Sequence, residues 1–407
     1  MLGIIISPMR VGSDLRSVPR HFSYLERSMQ VERGVDKRQG GDYYKVRGFG
    51  IHNAAHSSSI MDTRYAPSSR GIINSTLPIE LVSKIWHFMT IVDLLRYAWT
   101  SKANYNDVHN AIRKTVHGLL ASFCASPQRF LDVLEREHAV ISGSVALYVM
   151  YAISFNGVSR WENGWYPSDI DVYVPFFESE NEDDQPPFVA YMIGVEGYRM
   201  SFSQGRERAP AEYSMFPEVK EVIYLEKGST YMDVIVSASC FCMAPMFKFH
   251  STPVMNCISG NGIFSAYPNM TCNGQGIFNP MVFNMDAMAP HMPPSNVRDA
   301  LHKYEARGFE IRRNPACWPN DRHKCMTDVE CPHTRRNVDD GGCLYTTFRK
   351  IGENDGINSK TAMVSEDVFD GRGIVMWHFG GDACDSLVKR LTGYVHCCRQ
   401  SQVRGIM

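Results

Sequence analysis

Apolar positions first fall into a helical rhythm after Thr76. Leu81, Ile85 and Met89 recur at helical spacing, with Val82 and Trp86 beside them on the same face. Pro78 suits a first helical turn, and Glu80 places negative charge where the helix N-terminus favours it. Thr90 with Asp93 three residues on has the form of a capping box, so a second helix starts there and carries Leu94, Leu95 and Ala98. Ser101 can cap a third helix through Tyr105, Val108, Ile112 and Leu119. Three short helices in this span predict a small bundle.

From Pro127 the rhythm alternates between helix and strand. Phe130, Leu131 and Leu134 fit one helix, and Ala139-Val140-Ile141 reads as a short strand ending at Ser142-Gly143-Ser144. Val145 to Ile153 is helical again. Ile170 to Val174, Val222 to Leu225 and Tyr231 to Val236 read as strands, and Thr252-Pro253 as the start of another helix through Val254, Met255 and Ile258. Glu178 to Asp184 is an acidic solvated loop. The aromatic stretches Trp161 to Tyr166 and Tyr173 to Phe177 read as packing. Met246 to His250 reads as a turn with core anchors, His250 being a structural histidine.

The predicted fold class is α+β. Residues 1–73 mix charges with recurrent Gly and Ser and hold no period, which predicts a poorly ordered tail. Residues 74–125 form the helical bundle and 126–266 an α/β core with a mixed sheet. Residues 267–296, rich in Gly, Asn, Met and Pro, read as an irregular connection, and 297–407 as an irregular, Cys-rich C-terminal extension.

Composition narrows the function classes. The chain has 407 residues, 44% of them hydrophobic and 11% aromatic, enough for a sizeable core. Its 42 Lys and Arg against 43 Asp and Glu leave a net charge of −1, which argues against a protein that coats nucleic acid or an anionic membrane by bulk charge. No run approaches the roughly 18 apolar residues of a membrane span. The start shows no basic residue ahead of its short apolar run, unlike a secretory signal. The 12 cysteines are irregularly spaced, so the expectation is free thiols in the cytoplasm or nucleus.

Leu77-Pro78-x-Glu80-Leu81, followed by Ile85, then Asp93-Leu94-Leu95, resembles an F-box over residues 76–122. The resemblance implies a three-helix unit that docks on a Skp1-like protein within a ubiquitin ligase, leaving the rest of the chain to recruit a target. Leu77, Pro78, Leu81, Ile85, Leu94 and Leu95 would supply the contact. Short amphipathic helices of this kind leave an apolar face for a partner, or else pack as a cap on the next domain.

Gly143-Ser144 closes a strand and opens a helix, where backbone amides can cradle phosphate. Strand alternation puts Asp169 and Asp171 on one face of Asp169-Ile170-Asp171-Val172, and Asp233 sits in a later strand. Three converging carboxylates suit divalent metal and in-line phosphoryl chemistry. The pattern resembles the nucleotidyltransferase superfold, most closely its AbiEii-type branch, over residues 127–260. That resemblance implies phosphate binding by Gly143 and Ser144. It also implies Mg²⁺ held by Asp169, Asp171 and Asp233, with a nucleoside triphosphate as substrate. The whole combination resembles a group of fungal F-box proteins.

Cys317, His323, Cys325, Cys331, His333 and Cys343 cluster late in the chain. Four such ligands, Cys317, Cys325, Cys331 and Cys343 among them, could close a tetrahedral zinc site. Without a Cys-x-x-Cys pair, the spacing favours partly buried thiols in a loop-rich region.

Overall fold

The computed structural model describes residues 32–35, 42–45, 77–155, 165–176, 185–201, 218–285, 293, 295–313, 315–318, 324–348, 373–380 and 393–399. The chain divides into two units, residues 1–66 and 67–407. In the first, strands β1 (Glu32–Val35) and β2 (Asp42–Lys45) pair antiparallel within the stretch expected to be a tail. The rest of that tail, like the acidic loop at 178–184, lies outside the described residues.

The second unit is α+β. It opens with helices α1 (Ile79–His87), α2 (Ile91–Ala98) and α3 (Lys102–Leu120). The stop between α1 and α2 is chemical. Thr90 Oγ1 accepts from the Asp93 amide at 3.2 Å, and the Asp93 carboxylate accepts from the Thr90 amide at 3.3 Å, completing the capping box. Ser101 caps α3 through the Asn104 amide at 3.1 Å. Helix α4 (Pro127–Arg136) follows, with Pro127 in its first turn and Ser126 as its cap.

Strand β3 (Val140–Ser142) then runs directly into helix α5 (Gly143–Phe155). Gly143 makes that corner with φ +64°, a left-handed conformation that a residue with a Cβ resists. Further along come β4 (Asp169–Val174), helix α6 (Pro187–Gly194), β5 (Arg199–Met200), β6 (Val219–Lys227) and β7 (Thr230–Ser237). With β8 (Asn256–Ile258), β9 (Gly262–Ser265) and β13 (Leu344–Thr347) they build one eight-stranded sheet of order β13-β9-β8-β3-β4-β7-β6-β5. Only β4 and β7 pair in parallel, so the sheet is mixed.

Pleating divides the sheet into two faces. Ile170, Val172 and Val174 of β4, with Met232, Val234 and Val236 of β7, join the main core together with α2 to α6. The helices that open this unit share that core. Ile91, Leu94 and Ile112 are buried in the same cluster as Val145, Val149 and Ile170. Hydrogen bonds fix the junction: the Ala125 amide donates to Glu196 at 2.8 Å and the Tyr198 hydroxyl to the Phe123 carbonyl at 2.7 Å. Each fully buried aliphatic side chain contributes about 1.5–3 kcal/mol, and α2 and α3 place Ile91, Leu94, Val108 and Ile112 in this cluster.

On the opposite face Val140, Tyr173 and Ile235 pack with Phe247, Phe264, Tyr267 and Trp377. Much of this second core comes from segments read as connection and extension. Residues 267–296 hold helix α7 (Pro268–Cys272) and strand β10 (Gln275–Ile277), with Met270 and Ile277 buried. Beyond them β13 adds itself to the sheet edge against β9, and β14 (Gly373–His378) inserts Trp377, whose indole donates to the Tyr267 hydroxyl at 2.9 Å. The segment after Thr252 also departs from expectation. One short 3₁₀ turn (Thr252–Val254) gives way to β8, and the Asn256 side-chain amide donates back to the Pro253 carbonyl at 2.6 Å. A helix that the rhythm missed, α8 (Ser295–Ala306), packs Tyr304 beside α5.

Candidate functional site

Two surfaces collect the residues singled out by sequence. The first is α1. Val82 is buried and Trp86 packs on the main core, while Leu81 and Ile85 are each 44% exposed and Phe88 is 83% exposed. Leu77 and Pro78, which precede the helix, are exposed as well. Residues 81, 85 and 88 lie on one side of α1 and its C-terminal cap, so the sequence itself aims this row away from the core. Helix α2 is oriented differently: Leu94 is 2% exposed, inside the chain's own core, and Leu95 is half-buried. The six residues carried by the F-box resemblance therefore do not form one open patch.

The second surface is the row of aspartates. Asp171 of β4 stands in register with Asp233 of the parallel β7 and with Ser142 of β3. Register partners project to the same side of a sheet, so Asp171 and Asp233 are neighbours on one face, with Asp169 two residues earlier on that face. Asp233 is buried, and Asp169 and Asp171 are half-buried. Asp171 also reaches the strand-to-helix corner. A Cβ built on Gly143 would sit 2.1 Å from its Oδ2, so the carboxylate lies directly against the glycine at the start of α5. Ser144, next along, is 3% exposed and its hydroxyl has no hydrogen-bond partner. Leaving a buried hydroxyl unpaired costs about 1–3 kcal/mol.

Residues far away in sequence pack against α5, which starts at this corner: Tyr304 and Phe309 join Leu147 and Tyr151. The fields of Asp171 and Asp169 act on Tyr304, and that of Asp169 acts on Arg307 just past α8. Burial raises the Tyr304 phenol well above its ordinary value; Arg307 opposes this and the two aspartates add to it. Burial lowers the Arg307 value, against the pull of Tyr304 and Asp169. His250 lies 5.4 Å from the Tyr304 ring, and its Nδ1 pairs with the Ser251 hydroxyl at 2.8 Å. Burial, helped by Lys303, lowers its pKa to about 4, so it is neutral near pH 7. None of these side chains carries a local motif; only the tertiary packing of α8 against α5 brings them in.

The donor chemistry suits a hard cation, since carboxylates are the ligands of Mg²⁺. Among the described residues, however, no three His, Cys, Asp or Glu side chains are grouped so that they could hold a metal ion on their own. Mg²⁺ commonly uses one or two carboxylates and completes its shell with water and substrate phosphate. Asp169 and Asp171, with an unpaired hydroxyl and a helix N-terminus nearby, fit that mode.

The late cysteines are scattered between different jobs. Cys325 and Cys331 have their sulfurs 3.8 Å apart. The Cys343 sulfur accepts from the Arg336 guanidinium at 3.4 Å. His333 is buried, while His323 and the Cys317 side chain lie outside the described residues.

No helix among the described residues is long and apolar enough to cross a membrane. No protein-family model, no curated protein and no solved structure matches the chain.

Proposed function

We propose that this chain is a substrate adaptor of an F-box type, docking a Skp1-like protein of the cytoplasm or nucleus through α1, with the α/β body free to hold a ubiquitylation target. The observation that carries this reading is the exposed row Leu81, Ile85 and Phe88 on a helix whose other side is anchored in the core. An amphipathic helix presenting apolar side chains at this spacing suits a hydrophobic groove on a partner, and an apolar cluster left in water marks an interaction site. Leu94 contributes by holding α2 in place, not by touching the partner.

Co-purification of the full chain with recombinant Skp1 tests the reading. A stable complex is expected, lost on the double substitution Leu81→Asp/Ile85→Asp. No complex, or one indifferent to those substitutions, defeats it.

A second reading has its own support: a Mg²⁺-dependent nucleotidyltransferase. The strand-to-helix corner at Gly143-Ser144 abuts the register row of Asp171 and Asp233. Asp169 and Asp171 would hold Mg²⁺, which when bound would polarise the phosphates of a nucleoside triphosphate. The chain's own part is to present the Ser144 hydroxyl and the first amides of α5 to a phosphate oxygen. It also keeps Asp233 buried behind the reacting group. Transfer of radiolabel from a nucleoside triphosphate, absent in Asp169→Asn/Asp171→Asn, is the expected result. Equal signal from both proteins ends this reading.

A further inference from the structure

Arg307 is held in an unusual setting. Its guanidinium carbon lies 4.1 Å from the centroid of the Trp165 ring and 5.1 Å from that of Tyr304. Contact with the two rings holds the guanidinium in place. One of its terminal nitrogens, Nη1, is nevertheless buried without a hydrogen-bond partner. A second buried donor, the Ser144 hydroxyl, is also unpaired. The two lie along one face of α5, since Tyr148, one helical turn after Ser144, packs on the Trp165 ring at 5.4 Å between centroids and Arg307 stacks on that same ring.

Two buried, unpaired donors on the same side of α5 call for an acceptor-rich group. A charged N–H without a partner costs more than a neutral one, so the fold keeps Arg307 at a standing loss unless something binds it. The N-terminus of the thirteen-residue helix α5 adds partial positive charge beside Ser144. The adjacent aspartates would repel a bare anion, which selects an anion that arrives with a divalent cation. A planar guanidinium matches two oxygens of a phosphate better than one. A polyphosphate carrying Mg²⁺ meets all of these conditions.

We propose that Arg307 is a binding residue for the polyphosphate chain of a nucleotide, with Trp165 and Tyr304 as the positioning residues that hold it in place. The proposal takes the location of the site from the nucleotidyltransferase reading and does not depend on any transfer chemistry.

The test is calorimetric titration of the full chain with inorganic tripolyphosphate in the presence of Mg²⁺. The unsubstituted chain is expected to bind saturably. Arg307→Gln is expected to weaken binding by about 10- to 100-fold, the loss of a charge-assisted hydrogen bond, and Arg307→Lys to weaken it less. Absence of saturable binding, or Arg307→Gln within twofold of the unsubstituted chain, overturns the proposal. Should Arg307→Gln fail to fold, indole fluorescence of the intact chain decides. An emission change on adding tripolyphosphate that disappears in Trp165→Phe supports the stacked site, and an unchanged emission overturns it. Nucleotidyl transfer is scored separately. Arg307-dependent binding without transfer keeps this inference and removes the enzyme reading; transfer that Arg307→Gln leaves intact does the reverse.

Discussion

Substituting Gly143 with alanine puts the corner between β3 and α5 under two separate loads. The backbone there has φ +64°, which costs an L-residue about 1–2 kcal/mol. The new Cβ would also stand 2.1 Å from Asp171 Oδ2 and 3.2 Å from its Cγ, so the carboxylate must rotate away. Forcing Asp171 off its rotamer costs about 0.5–1.5 kcal/mol. Removing its charge from a helix N-terminus costs up to a further ~1 kcal/mol. Gly143→Ala alone should therefore destabilise the chain by about 2–4 kcal/mol. With Asp171→Ala already in place the clash is gone, and the same substitution should cost only the backbone part, about 1–2 kcal/mol. Urea unfolding of the four proteins of this cycle, compared at constant m-value, measures the difference as a coupling of about 1–2 kcal/mol. Equal costs in the two backgrounds would refute the contact between Asp171 and Gly143, and with it the placement of the carboxylates at the start of α5.

Burial separates two leucines that the motif treats alike: Leu94→Ala should cost about 2–5 kcal/mol and Leu81→Ala less than about 1 kcal/mol, read from urea midpoints. Thr90→Ala removes the cap of α2 and should cost about 0.5–2 kcal/mol by the same measure. Asp340 binds the buried Arg336 through Oδ2 to Nε at 2.6 Å and Oδ1 to Nη2 at 2.9 Å. Burial raises the Asp340 value, but Arg336 and the amides of Asn337 and Gly342 outweigh it and hold the carboxyl below its ordinary range. Its contribution is thus complete above the unfolded carboxylate value near 3.9 and lost as pH falls through the lower folded value. Asp340→Ala should cost about 3–5 kcal/mol at pH 7, by leaving a buried guanidinium without its counter-ion, and should flatten the acid limb of the stability–pH curve.

Local chemistry announced the elements whose start is written in one residue. Thr90-x-x-Asp93 and Ser101 marked helices that the structure contains, and the alternation Asp169-Ile170-Asp171-Val172 placed its carboxylates on one face. The segments after Ala266 were opaque for a physical reason. Their strands are short, and partners such as Gly262 and Thr347 meet only through pairing across a long sequence gap. A buried three-residue strand has no polar alternation to read. Helix α8 hid differently: just two of its residues, Val297 and Tyr304, are buried, too few to set a rhythm. Tyr304 and Arg307 accordingly had no signal in the chain.

Helix α5 joins the two proposed sites. Its first residues form the corner against Asp171, Val145 and Val149 lie in the core shared with α2 and α3, and Leu147 and Tyr151 pack toward Tyr304 and Phe309. Substitutions that loosen α5 would therefore disable both activities together and say nothing about either. Surface changes separate them. Leu81 and Ile85 are exposed on α1, so charges there leave the core intact, and Leu81→Asp/Ile85→Asp should abolish capture of Skp1 while tripolyphosphate binding stays within twofold. Arg307→Gln should do the opposite. Loss of both properties in the Leu81→Asp/Ile85→Asp chain would mean that the exposed row is needed to hold the fold, and the adaptor reading would fall, because a face required for folding is not free to receive another protein.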